Sequence, residues 1–130
     1  MVNPQNLRPG TIIYVWVGIY RHKGLVSNRW CSGMPKVLAN AASSGVAEIP
    51  WDDFTTDLPC YVEGYPSTLH PLQVLYNGRT MIGQPYSVSK FNCEHFVYKA
   101  HGQHPHSPQF VMSIWVTIGI GISLVAAAQS

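Results

Sequence analysis

The sequence predicts one small α+β domain, in which an antiparallel sheet packs against helices. Short runs of β-branched and aromatic residues fill much of the first two thirds of the chain, and such runs are typical of buried strands. Glycine and proline supply 11 and 10 of the 130 residues, so long helices are excluded there and turns must be frequent. A clear helical pattern begins only near Phe91, after the strands.

Composition excludes several other classes of protein. A chain of 130 residues is one ordinary domain, and 46% hydrophobic with 11% charged residues excludes a disordered chain or a coiled coil. The net charge is +2 and no Lys/Arg cluster is present, so we expect no nucleic-acid partner. The N-terminus has no basic region followed by an apolar run, so we expect no secretory signal and a reducing, cytoplasmic environment.

The cysteines and the late histidines predict no cofactor and no metal site. Three cysteines without CxxC spacing argue against a disulfide framework and against a zinc ribbon, and at least one thiol must be free. We interpret Cys31 and Cys60 as structural. His101, His104 and His106 lie in a segment rich in glycine and proline, which we interpret as a flexible linker.

The elements follow one another as short strands and then helices. The predicted strands are residues 11–17, 20–27, 36–40, 46–49 and 60–63, with a loop at residues 28–35. The second strand alternates, so that His22, Gly24 and Val26 share one face, which we expect to point inward. Residues 50–54 form a turn into a short helical segment. Pro71 begins a helix that residues 77–78 are expected to interrupt.

Residues 110–128 are a separate element. These residues carry no charge, and a helix of this length measures about 28 Å, which is close to the thickness of a hydrocarbon core. The pattern predicts a hydrophobic helix that either anchors the protein in a membrane or is buried through packing or self-association. We therefore divide the chain into a domain at residues 1–109 and this helix.

Cys93 is the candidate nucleophile. Cys93, Phe96, Val97 and Ala100 have helical spacing and predict one buried face. With Asn92 as the N-cap, Cys93 lies in the first turn, where the free N–H groups and the positive end of the helix dipole favour a thiolate.

A thiol nucleophile also needs a base within hydrogen-bond reach. His22 is the predicted base, because packing of the sheet on the helix can bring the second strand to the helix start. His95 is the alternative, but on a helix it points away from a thiol two residues earlier. We interpret Glu94 as a solvated residue or a partner of the helix dipole.

The residues Asn-Cys-Glu-His-Phe at 92–96, the early strand at 21–26 and the order His before Cys resemble the lecithin:retinol acyltransferase-like family. These papain-like thiol enzymes are circularly permuted relative to the NlpC-type hydrolases. The resemblance covers roughly residues 8–109. It implies that Cys93 takes an acyl group from a lipid or another donor and passes it to water, an amine or a hydroxyl. It also implies that His22 acts as general base and acid, and we expect the backbone N–H of Cys93 to hold the oxyanion.

One departure from the family concerns the third strand. Many members carry a second histidine there that orients the first, and residues 36–40 contain none. Ala39 lacks the polar group that this role requires. The amide oxygen of Asn40 can accept the imidazole N–H in only one strand register, so Asn40 is the candidate orienting residue.

These observations leave three functions open. The first is a thiol acyl hydrolase or acyltransferase that forms a Cys93 thioester, on a phospholipid-type acyl donor. The second is a cysteine peptidase or amidase with the same pair of residues. The third is a degenerate, non-catalytic interaction module attached to a membrane. The expected partner is an acyl lipid or a membrane surface, with self-association through residues 110–128 as a further option, and the domain is expected on the cytoplasmic side.

Overall fold

The computed structural model describes residues 2–104 and 107–111, and it confirms the α+β class. Five antiparallel strands form one sheet in the order β4-β3-β2-β1-β5. The strands are β1 (Ile12–Val17), β2 (Tyr20–Cys31), β3 (Met34–Ala41), β4 (Gly45–Ile49) and β5 (Cys60–Gly64). A 3-10 turn (Pro4–Asn6) precedes them, and the helices are α1 (Trp51–Thr55), α2 (Pro71–Thr80) and α3 (Cys93–Ala100).

The sheet is covered by helices on both faces, because apolar side chains occupy both sets of alternate strand positions. On the face that we call the α3 face, Ile12, Leu25 and Leu38 pack with side chains of α2 and α3. On the other face, the α1 face, Ile13, Val26 and Val37 pack with side chains of α1. The domain therefore has two hydrophobic cores separated by the sheet.

The predicted loop at residues 28–35 is wrong. Strand β2 continues to Cys31, which pairs directly with Met34 on β3, so Ser32 and Gly33 form a two-residue hairpin turn. Both turn residues have positive φ, 53° and 77°, as such turns require. The pairing is irregular between Val26 and Trp30, and this irregularity separates the buried part of β2 from its exposed end.

The predicted interruption of α2 at residues 77–78 is also wrong, since the helix continues to Thr80. Asn77 donates its amide to the Ala100 carbonyl oxygen at 2.9 Å, which joins α2 to the end of α3. A Cβ on Gly78 would lie 3.4 Å from the Phe96 ring, which is ordinary van der Waals contact, so α2 packs directly on α3 at this position.

The predicted C-terminal helix falls, beyond residue 111, outside the described residues. Across residues 2–104 and 107–111, no helix has the length and apolar character that crossing a membrane requires.

Candidate thiol site

The start of α3 is built as the sequence predicts. The Asn92 side chain accepts hydrogen bonds from the backbone N–H groups of Glu94 and His95, at 2.9 and 3.1 Å. His95 completes a capping box, because its Nδ1 accepts the backbone N–H of Asn92. His95 is thereby part of the cap, and Cys93 is the first residue of the helix.

Cys93 is enclosed. Its side chain is 0% exposed, and its Sγ lies 2.7 Å from the Tyr20 hydroxyl and 3.9 Å from the Arg21 carbonyl oxygen. Burial raises the pKa of the Cys93 thiol above its usual value, although hydrogen bonds from the Lys23 backbone N–H and the Tyr20 hydroxyl oppose the shift. The thiol is therefore uncharged at neutral pH.

In the part of the chain that the structure describes, no hydrogen bond joins His22 to Cys93. Lys23 contacts α3, so the preceding residue on the strand points to the α1 face, where the His22 ring stacks on Phe54. The two ring centroids are 5.1 Å apart. Among the described residues, the Cys93 Sγ contacts the Tyr20 hydroxyl and the backbone on either side of His22, and no hydrogen bond joins it to the His22 imidazole. Strand alternation correctly groups His22 with Gly24 and Val26, but their shared face is the one that α1 covers.

Asn40 lies on the α3 face, away from His22. Its Nδ2 donates to the backbone carbonyls of Phe91 and Asn92, at 2.9 and 3.3 Å. The buried Oδ1 of Asn40 receives no hydrogen bond from the residues that the structure describes. Asn40 thus holds the segment that leads into α3, and the imidazole that it was expected to orient is on the other side of the sheet.

A buried ion cluster lies beside the thiol. Lys23 Nζ is 2.6 Å from Glu63 and 2.7 Å from Glu94, and it donates to the Tyr98 hydroxyl at 3.0 Å. The Tyr98 hydroxyl in turn donates to Glu63. The interpretation of Glu94 as a solvated residue is wrong, because its side chain is fully buried. Lys23 is a further site residue that the sequence pattern did not predict; its signal is a lysine at a strand position that shares its face with Leu25.

Hydrogen bonds and ion pairs within this cluster keep Glu94 and Lys23 charged despite their burial. Burial by itself raises the pKa of Glu94, but hydrogen bonds from Lys23, Ser107 and Gln109 outweigh it and hold that pKa below its usual value. Burial likewise lowers the pKa of Lys23, and its bonds to Glu63 and Glu94 outweigh that effect, so the pKa is raised. Both groups are ionised at neutral pH.

Residues 107–109, which we call the strap, close the site from the C-terminal side. Ser107 donates to Glu94 at 2.7 Å and accepts from the Asn92 side chain at 2.9 Å. The Gln109 carboxamide binds both the N–H and the C=O of Arg21, at 2.8 and 2.9 Å. These groups of Arg21 are free to bind because the pairing of β2 with β3 ends at Gly24.

The remaining predicted residues are dispersed. Cys60 is buried and Cys31 is half-buried, and both are free thiols. The linker interpretation is wrong for His101, which is buried between the Ser67 hydroxyl, 2.6 Å from its Nδ1, and the Gly10 carbonyl, 2.8 Å from its Nε2. His106 lies outside the described residues. Within residues 2–104 and 107–111, no three metal-ligating side chains come together.

Comparisons with protein families and with curated sequences identify no relative of this chain. No protein-family model matches the chain, and no curated protein sequence matches it.

Proposed function

We propose that this chain is a non-catalytic interaction module with the architecture of a thiol enzyme, attached to a membrane through residues 110–128. The observation that carries the proposal is that the Cys93 Sγ binds the Tyr20 hydroxyl, while the His22 ring stacks on Phe54 and makes no hydrogen bond to the thiol among the described residues. Nucleophilic catalysis by cysteine needs a thiolate and a base within about 3 Å of the sulfur. A buried thiol bonded to a phenol and an imidazole stacked on Phe54 do not form such a pair.

The partners of the thiol also support an unreactive cysteine. Burial is the main cause that raises the pKa of Tyr20 far above its ordinary value, and the neighbouring Cys93 adds to the shift. A neutral phenol donates a hydrogen bond but does not remove a proton at neutral pH. The raised pKa of Cys93 itself acts in the same direction, because an uncharged thiol is a poor nucleophile.

We also propose that the fold is the permuted papain-like fold that the resemblance implies. Its support is the chain order, in which a central strand with the histidine precedes a helix that begins with the cysteine. In this chain Tyr20 and Lys23 of β2 both contact the start of that helix, at Cys93 and Glu94, and these contacts take the place of a catalytic contact. A module of this kind keeps the fold of the thiol enzymes and acts by binding a partner through its surface.

The test is labelling of the full chain with an acyl-type thiol probe across pH, followed by mass mapping of the labelled cysteine. Cys93→Ser and His22→Ala serve as control variants. We expect Cys93 to react no faster than Cys31, and we expect His22→Ala to leave its rate unchanged. Selective labelling of Cys93 near neutral pH that His22→Ala suppresses would overturn the proposal.

A second candidate is the thiol-dependent acyl hydrolase or acyltransferase. The observation that favours it is the position of Cys93 at the first residue of α3, with two hydrogen bonds that favour the thiolate. In that reaction Cys93 Sγ bonds to the acyl carbon and the lysolipid leaves with the proton of the thiol.

The second candidate is tested by incubating the protein with phosphatidylcholine vesicles and measuring the intact mass. An added acyl group that Cys93→Ser abolishes supports the acyl enzyme. Cleavage of peptide or amide substrates instead supports a cysteine peptidase or amidase. An unchanged mass supports the non-catalytic module only together with no released lysolipid, fatty acid or peptide fragment, because hydrolysis of the thioester restores the free thiol.

A further inference from the structure

The hairpin between β1 and β2 ends in apolar side chains that contact little of the domain. Gly18 has a φ of 63°, which permits the tight reversal, and the residues on either side are apolar. Ile19 is 97% exposed and Val17 is 54% exposed. Turn positions usually carry polar residues, so two branched apolar side chains at a turn indicate a surface that another phase or molecule covers. We call residues 17–19 the hairpin tip.

Aromatic rings and one cation lie directly behind the tip. Trp16 packs edge-on against Tyr14, and Tyr14 stacks on Tyr61 of β5. The Arg21 guanidinium lies 5.5 Å from the Tyr14 ring and 5.7 Å from the Trp16 ring. Apolar tip, aromatic rings and a cation therefore follow one another along the hairpin. A lipid leaflet has the same sequence of layers, from acyl chains to an interface that favours Trp and Tyr and then to phosphate.

The apolar C-terminal tract begins next to this hairpin. The bonds between the Gln109 carboxamide and the Arg21 backbone hold the chain beside β2, close to the tip. From Phe110 the sequence carries no charge through Ala128. A membrane that receives this tract therefore lies at the end of the domain where the tip projects.

We propose that the hairpin tip is a lipid-contact site, in which Val17 and Ile19 enter the interface of a phospholipid bilayer and Arg21 faces the lipid phosphates. This rests on the membrane attachment in the proposed function and is independent of the chemistry of Cys93. The tip adds a second contact to the tract at residues 110–128. It fixes which side of the domain faces the bilayer.

The experiment places an environment-sensitive fluorophore at position 19 of the full chain. In a Cys31→Ser background the remaining native thiols, Cys60 and Cys93, are buried, so Ile19→Cys provides the accessible thiol. Leu72→Cys in the same background is the matched control, because Leu72 on α2 is also largely exposed, at 57%. Mass mapping of each labelled protein verifies the position of the fluorophore.

Both labelled proteins are mixed with vesicles of phosphatidylcholine, with and without phosphatidylserine, and vesicle binding is measured by flotation. We expect a blue shift at position 19 and several-fold stronger quenching by lipid-borne nitroxides than at position 72. Equal signals at the two positions on bound protein overturn the lipid-contact site and leave the attachment through residues 110–128. Absence of binding overturns both. A blue shift at position 19 without vesicles, on raising the protein concentration, indicates self-association instead and also overturns it.

An unlabelled variant separates contact from folding. Val17→Ser with Ile19→Ser is expected to weaken vesicle binding about tenfold, since two apolar side chains no longer enter the interface. Its melting temperature is expected to stay close to that of the wild type, because both side chains are largely exposed in the fold. Unchanged vesicle binding by this variant contradicts the proposal.

Discussion

At the scale of single residues, we expect Lys23 to contribute more to the stability of the fold than either residue of the predicted catalytic pair. Its ammonium group lies between two carboxylates in the α3 face, and Glu94 has no exposure to water. Removing one partner of a buried ion pair leaves the other charge unpaired, which costs far more than the intact pair contributes. Lys23 and Glu94 therefore depend on each other for burial.

Lys23→Ala is expected to lower the free energy of unfolding by about 3–5 kcal/mol, because the Glu94 carboxylate loses its cation. Urea denaturation at pH 7 measures the change. Lys90→Ala, at an exposed lysine, is the control and is expected to change stability by less than about 0.5 kcal/mol. Lys23→Met with Glu94→Gln is expected to recover part of the loss. A loss equal to that of the control would contradict the role given to the cluster.

His22 predicts a dependence of stability on pH. Burial lowers the pKa of His22 below its usual value of 6.5, so the folded state holds the neutral ring. The unfolded chain binds a proton below about pH 6.5, and the folded chain binds it only at lower pH. The stabilisation is thus complete above pH 6.5 and decreases as the pH falls through the folded pKa.

His22→Phe is expected to reduce the loss of stability between pH 7.5 and 5.5, because phenylalanine stacks on Phe54 without titrating. Urea midpoints of both proteins at the two pH values measure this difference. Part of the loss should remain in the variant, since burial also lowers the pKa of His101. An identical pH dependence in the two proteins would argue against the half-buried, neutral His22.

At the scale of elements, the strap is bound to the start of α3, where Cys93 lies. Residues 107–109 bind the N-cap, the first turn of α3 and the free backbone of β2 at once. The two bonds of the Gln109 carboxamide to Arg21 take the place of a neighbouring strand, because β3 does not extend that far. The Gln109 carboxamide and the Cys93 Sγ both contact the Arg21 carbonyl oxygen, so we expect opening of this short segment to admit a reagent to Cys93.

Gln109→Ala is expected to raise the rate at which iodoacetamide alkylates Cys93 by about tenfold. Two hydrogen bonds of roughly 0.7 kcal/mol each give such a change in the population of the open strap. Gln103→Ala is the matched control, since the Gln103 amide binds the Pro66 carbonyl elsewhere on the surface. Equal rates in the wild type and in Gln109→Ala would show that the strap does not limit access.

The elements also show how far the sequence specifies the site. Strand alternation and the N-cap at Asn92 predict the position of Cys93 and the residues that share a face with His22. Alternation does not tell which layer covers each face. Helix α1 has five residues and no side-chain cap, so its pattern is too short to reveal that it covers the His22 face. The expectation that the His22 face meets the start of α3 rested on the general packing of a sheet on a helix, which does not select one face.

Other elements could not be predicted from local pattern alone. The Ser32-Gly33 turn lies in a stretch with the polar and proline residues typical of a loop, and pairing of Cys31 with Met34 is what makes it a hairpin. The strap is too short to give a sequence pattern, and the contacts that bind it to α3 and β2 are with residues distant in the sequence. Such contacts depend on the assembled fold, which no local signal encodes.

At the scale of the whole molecule, a single sheet carries one hydrophobic core on each of its faces. Gly24 lies in the middle of the sheet, where β2 pairs with β3, and a Cβ there would meet a Val37 methyl at 2.6 Å and the Phe54 ring at 2.9 Å. The missing side chain lets α1 pack against the sheet.

Gly24→Ala is expected to destabilise the protein by about 1–3 kcal/mol through overpacking of the α1 face. Thermal unfolding followed by near-ultraviolet circular dichroism measures the change. Gly33→Ala is not a clean control because Gly33 has positive φ, so Ala39→Gly, which removes a methyl group on the same face, is the better comparison. A stability equal to that of the wild type would mean that α1 moves aside without cost.

The outer edge of β4 has a consequence for how copies of this domain coexist. The N–H and C=O of Val46 bind the backbone of Gln84 and Gly83, so a short stretch of chain already occupies that edge. Gly45 makes the approach possible, because a Cβ there would collide with the Gln84 carbonyl. An edge that is already hydrogen-bonded is a poor template for a strand of another molecule. Copies crowded together can therefore touch at this edge without joining their sheets into an aggregate.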